Sequence, residues 1–87
     1  MRYMVIERYT HGAEPVYERF HHKGRMLPDG LTFIESWVDE SLGACYQLME
    51  TDDRSLLDSW TARWSDLVEF EIVAVISSAE AAARAVD

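Results

Sequence analysis

The sequence predicts an α+β domain whose elements run β-α-β-β-α-β, followed by a short C-terminal helix. Three observations carry this. Four segments alternate with a period of two, the signature of half-buried strands. Two intervening segments carry apolar stripes at helical spacing. The two central strands are separated by so few residues that they must form a hairpin.

Residues 2–10 (RYMVIERYT) are rich in β-formers and alternate Tyr3, Val5, Glu7 and Tyr9 against Met4, Ile6 and Arg8. Gly12 ends this strand. Pro15 then sits where a first helical turn tolerates proline, beside Glu14 at the positive helix end. Val16, Phe20 and Tyr17 supply the stripe, and Gly24 is a natural stop. Pro28-Asp29-Gly30 is turn chemistry. Residues 31–38 (LTFIESWV) and 44–51 (ACYQLMET) form the hairpin across the Asp39–Gly43 loop. Asp52 or Asp53 is expected to cap the second helix, with Leu56 or Leu57, Trp60, Trp64 and Leu67 on its buried face. Residues 68–76 (VEFEIVAVI) form the fourth strand. Ser77 and Glu80 then make a capping box that opens an alanine-rich helix. This order is the split-βαβ, ferredoxin-like plan: a four-stranded antiparallel sheet with two helices on one face.

Composition narrows the partners. The chain has 87 residues and a net charge of −8, which allows a single domain over residues 1–87. Residues 1–25 carry net +2 and the remainder net −10. That balance argues against nucleic acid, which demands a concentrated basic face, and against anionic membranes. The third strand carries neither lysine nor arginine, unlike an RNA-recognition sheet on the same plan. Cys45 is the single cysteine, so no intramolecular disulfide or paired-cysteine motif can form. No apolar run spans a membrane and the N-terminus lacks the apolar core of a signal peptide, so a soluble, cytoplasmic protein is expected.

Two helices cover one sheet face. Assigning Met4, Ile6, Leu48, Phe70 and Ile72 to the helices leaves the other face with Tyr3, Val5, Glu7 and Tyr9, joined by Phe33, Glu35, Trp37, Cys45, Gln47, Met49, Glu69, Glu71, Val73 and Val75. Such a face exceeds the roughly 300–600 Å² apolar patch that a monomer exposes. A homodimer that pairs two sheets face to face is therefore expected.

The segments YMVIERY, SWVDE, CYQLMETDD and WSDLVEFEIV resemble an uncharacterised bacterial family, domain of unknown function 3303, over residues 2–83. The resemblance implies the dimeric α/β-barrel superfamily, in which two ferredoxin-like sheets close into one barrel. Relatives there include cofactor-free monooxygenases, haem-handling enzymes, muconolactone isomerases and stress-response proteins. An Asn–Trp–His set is frequent in the monooxygenase and haem-degrading branches. This chain has Trp37 but no asparagine, so that mechanism does not carry over.

The residues themselves nominate Glu35, Glu71 and Glu7 as acid–base groups, because carboxylates confined between sheets repel and one pKa rises. Trp37, Tyr9, Phe33, Gln47 and Met49 would line the ligand, with no cofactor and no metal. The plainer reading is that the same glutamates pair with Arg2, Arg8 or Arg25 across the dimer, or sit in water at the barrel mouth. His21 and His22 are adjacent, hence about 100° apart on a helix, and His11 lies in a loop; surface positions are expected. Cys45 has no base at a recognisable spacing and reads as a small buried hydrophobe. Trp60 and Trp64 read as core. The resulting expectation is a small organic molecule held between paired sheets, acted on by a glutamate. A noncatalytic interaction or regulatory module is the alternative, and a cavity of roughly 300 Å³ or more would favour binding.

Overall fold

The computed structural model describes residues 1–86. Its elements are β1 (Arg2–Tyr9), α1 (Ala13–Lys23), β2 (Thr32–Val38), β3 (Ala44–Glu50), α2 (Ser55–Ala62), β4 (Val68–Val75) and α3 (Ser78–Ala85). The four strands form one antiparallel sheet in the order β2-β3-β1-β4. This is the ferredoxin-like α+β arrangement, with the two ends of the chain's first βαβ unit parted by β3.

The core lies between the sheet and the helices. Val5, Met49 and Leu57 have no exposed surface, and Tyr3, Val16, Leu31, Trp60, Trp64 and Val68 complete the buried cluster. Cross-strand pairing fixes the faces. Val5 stands opposite Gln47 on one side and Ile72 on the other, and Glu7 opposite Cys45 and Phe70. The odd residues of β1 and β3 and the even residues of β4 therefore face the helices.

That register corrects part of the expected face assignment. Phe70 and Ile72 do pack on the core, and Glu69, Glu71, Val73 and Val75 lie on the open face. Met4, Ile6 and Leu48 lie on the open face too, while Tyr3, Val5, Glu7, Tyr9, Cys45, Gln47 and Met49 turn inward. The physical reason is that a one-residue change in parity moves a strand's whole set of side chains across the sheet. In β2 a bulge between Phe33 and Glu35 inserts Ile34, so parity changes within the strand. Phe33 packs against the core, and Glu35 and Trp37 reach the open face.

α2 is shorter than its apolar stripe. The helix ends at Ala62, and Trp64 is held in the following turn by Trp64 N donating to Thr61 O at 3.0 Å. Asp53 precedes it, accepting from Ser55 N at 3.0 Å and Ser55 Oγ at 2.6 Å. α3 begins as expected, with Ser77 Oγ accepting from Glu80 N at 3.1 Å. Every described residue of α3 is exposed. No helix among the described residues is long and apolar enough to cross a membrane.

Candidate functional site

Buried polar side chains are scarce: Glu7, Gln47 and Thr51. Two of them touch. Gln47 Nε2 donates a short hydrogen bond to Glu7 Oε2 across the β1–β3 pairing. Both line a cleft of about 230 Å³ between the sheet and α1, whose walls include Tyr9, Val16, Tyr17, Phe20, Trp60 and Trp64. Arg25, Ser36, Val38 and Cys45 complete it. A wider depression of about 410 Å³ lies between Met1, Arg2 and the β4–α3 junction, but no buried polar group lines it.

The electrostatics of the cleft follow from burial. Removal from water favours the neutral carboxyl and holds Glu7 above its ordinary 4.5, against the Gln47 and Cys45 hydrogen bonds and the Arg25 charge, which oppose the rise. Burial, then the nearby Glu7 charge, pushes the Cys45 thiol up to about 12. Burial likewise raises the Tyr9 phenol well above its usual range. Tyr9 and Cys45 therefore stay protonated at neutral pH, and the thiol is no nucleophile. Tyr9 meets Tyr17 edge-on, with ring centroids 6.3 Å apart.

Arg25 joins this set from the segment after α1. Gly24, at φ 65°, turns the chain out of the helix, and Met26 is held at φ 59°, a left-handed conformation that costs a non-glycine residue about 1–3 kcal/mol. Three donors fasten the strained segment. Trp60 Nε1 and Trp64 Nε1 both donate to Arg25 O, at 2.9 and 3.0 Å, and Arg63 donates to Met26 O. The tryptophans are core residues, as their spacing predicts, and their indole nitrogens also position Arg25. The Arg25 guanidinium lies over Phe33 at 3.6 Å and over Phe20 at 5.2 Å. Its Nε donates to Gln47 Oε1 at 3.2 Å and Nη2 to Ser36 Oγ at 3.4 Å. Gln47 thus links Glu7 to Arg25.

The sequence-derived site divides between two places. Glu7, Tyr9 and Gln47 meet in the cleft. Phe33 and Met49 are core residues, and Phe33 supports Arg25. Glu35, Glu71 and Trp37 stand across the sheet on the open face, so the three glutamates do not converge. Glu35 accepts from Ser36 N at 3.0 Å, Glu71 lies 3.9 Å from Arg8, and Trp37 is 53% exposed. The sequence offered Arg25 only as one of three arginines to pair with the glutamates, not as a site residue; an arginine just after a helix-ending glycine in an acidic chain is the signal that could have found it. His11, His21 and His22 are exposed, as expected. Among the described residues no three His, Cys, Asp or Glu side chains are grouped to hold a metal ion.

No curated protein and no solved structure matches the chain. The family model described as Domain of unknown function (DUF3303) matches residues 1–86, and the chain belongs to that family.

Proposed function

We propose that this member of the DUF3303 family binds a small, partly aromatic organic molecule in the cleft between its sheet and α1. Glu7 is the group positioned for proton transfer, without a cofactor. The observation that carries the reading is a buried carboxyl–amide pair opening onto an aromatic-walled cleft. A fold gains nothing in stability by burying a carboxyl beside a void, since desolvation opposes it and the void forfeits packing. Functional sites are where such arrangements accumulate. The cleft, at about 230 Å³, falls short of the roughly 300 Å³ that favours binding over an interaction module, so the reading rests on the buried polar pair and not on volume, and this size confines the ligand to about one or two rings. The ligand site thus moves from the space between paired sheets, where the sequence put it, to the helix side.

The same reading pairs two copies through their open faces, in the manner of the dimeric α/β barrels. Trp37, Tyr46 and Val73 are 53%, 38% and 40% exposed there, flanked by Met4, Ile6 and Leu48. After the register correction the open face keeps Trp37, Val73 and Val75 and gains Met4, Ile6, Tyr46 and Leu48, and these are the residues that support the dimer reading.

A fragment titration followed by ¹H–¹⁵N spectra tests the ligand site. One- and two-ring aromatics at millimolar concentration should move the amides of Val16, Tyr17, Cys45 and the Gln47 side chain together. A library that perturbs only the open face, or nothing, would overturn the reading.

A further inference from the structure

Five N–H groups make up a guanidinium, and a buried or half-buried one is normally matched to carboxylate. In this chain Arg2, Arg8, Arg19 and Arg84 each pair with an acidic side chain. Arg25 does not, although the chain holds sixteen acidic residues. Among the described residues no carboxylate oxygen lies within 4.0 Å of its nitrogens. Arg54 and Arg63 are likewise without a carboxylate, but both are exposed. Arg25 is the unpaired cation on a cavity wall.

Its surroundings hold it in that state. One face packs on Phe33, its backbone is fastened by two indoles, and Nε and Nη2 are steered by Gln47 and Ser36. Two of its five N–H groups are thereby used, which leaves three, on Nη1 and Nη2, without an acceptor among the described residues. That end is the edge that grips a carboxylate with two parallel hydrogen bonds. Glu7, an acid that feels the Arg25 charge, is separated from it by the Gln47 amide, whose two ends address one group each.

We infer that the ligand of this cleft is an organic anion, a carboxylate on a planar aromatic body, with the carboxylate on the free edge of Arg25 and the rings among Phe20, Tyr17 and Trp64. The inference rests on the cleft being the ligand site and adds the charge of what enters it. Other titratable groups facing this space are Glu7 and Tyr9 from β1, Tyr17 from α1 and Cys45 from β3. The elevated pKa values of Glu7, Tyr9 and Cys45 lower the competing negative charge, which suits an incoming anion.

The test compares 2-naphthoate with 2-naphthamide, a neutral molecule of the same shape, by chemical-shift titration of the intact protein at low salt. Naphthoate should bind roughly tenfold or more tightly, the range expected for charge-assisted hydrogen bonds. Arg25→Gln should erase the preference, and Arg25→Lys should keep part of it. Equal affinity of the two probes for the wild-type protein would overturn the anion inference while leaving the cleft as a ligand site. A preference that persists in a folded Arg25→Gln protein would overturn it as well. If neither probe moves the cleft amides, both readings fall. Equal affinity in the wild type overturns the inference without any variant, and should Arg25→Gln fail to fold, an Arg25→Lys protein whose preference is undiminished would overturn the assignment to the guanidinium edge.

Discussion

Replacing Glu7 with glutamine converts the buried carboxyl into a permanently neutral group of the same shape, still able to accept from Gln47. Below an unfolded-state pKa of 4.5 both the folded and unfolded wild-type chains carry the proton, and the two proteins should differ only slightly in stability. As pH rises past that value the unfolded chain releases its proton while the folded chain keeps it, because burial raises the folded pKa. The native state then binds more protons than the unfolded state, so wild-type stability falls with pH. The slope approaches about 1.4 kcal/mol per pH unit and vanishes once Glu7 ionises in the folded state. Glu7 is only 4% exposed, so solvent screening takes little from this figure.

The readout is the difference in unfolding free energy between wild type and Glu7→Gln, from urea titrations between pH 4 and pH 8. Asp39, Asp53 and Asp66, whose pKa values are lowered by hydrogen bonds from Ser41, Ser55 and Arg19, contribute equally to both proteins and cancel. The wild type should lose ground steadily above about pH 5. A difference that stays flat would mean that Glu7 is hydrated in solution. A difference that grows in favour of the wild type would mean that the Gln47 amide, Cys45 thiol and Arg25 charge outweigh desolvation. Either result would refute the acid–base role assigned to Glu7.

Trp60→Phe and Trp64→Phe should each cost about 2 kcal/mol, and the double variant about 1 kcal/mol beyond their sum, because only the pair leaves the Arg25 carbonyl unmatched; urea midpoints of the four proteins check this, and additivity within about 0.5 kcal/mol would disprove the shared clamp. Ser77→Ala should remove about 1 kcal/mol of α3 helicity, seen as ¹³Cα shifts over 78–85, yet leave the global unfolding midpoint in place, since α3 buries nothing. Trp37→Glu should convert a dimer into a monomer in sedimentation velocity at micromolar concentration with unchanged far-ultraviolet ellipticity; a wild-type protein that sediments as a monomer would remove the paired-sheet proposal.

Element order was legible because it depends on local signals that agree: alternation, helix stripes, Pro28-Asp29-Gly30 and the Ser77 cap. Face assignment was legible only in β4, where Glu69 and Glu71 alternate with Phe70 and Ile72 and leave one choice. β1 offers Met4 and Ile6 against Tyr3 and Val5, and hydrophobicity does not separate them. What decides is Glu7, which turns inward because Gln47 on the neighbouring strand meets it. That is a pairwise fact, and the register that creates it lies 40 residues away in the chain. The Ile34 bulge did leave a local mark. LTFIESWV sets Phe33 beside Ile34 and then Glu35 beside Ser36, a break in alternation at the point where pairing with β3 slips, and a strict two-face reading passes over it.

The open cleft follows from how α1 is attached. Val16 is the one residue that α1 buries, while Tyr17 and Phe20 remain 42% and 40% exposed. An apolar stripe this thin cannot seal the sheet beneath it. Polar straps hold the helix instead. Arg19 grips Asp66 with two hydrogen bonds, at 2.8 and 2.6 Å, and reaches Arg63 O at 3.1 Å. Its guanidinium also lies 5.5 Å from the centre of Trp64. These attachments join α1 to the segment that follows α2. A helix fastened by polar straps and sealed by one buried residue leaves a gap over the inward-facing polar residues of β1 and β3. A fully apolar α1 would close that gap and stabilise the fold, and it would do so by burying Glu7 and Gln47 beyond the reach of any ligand.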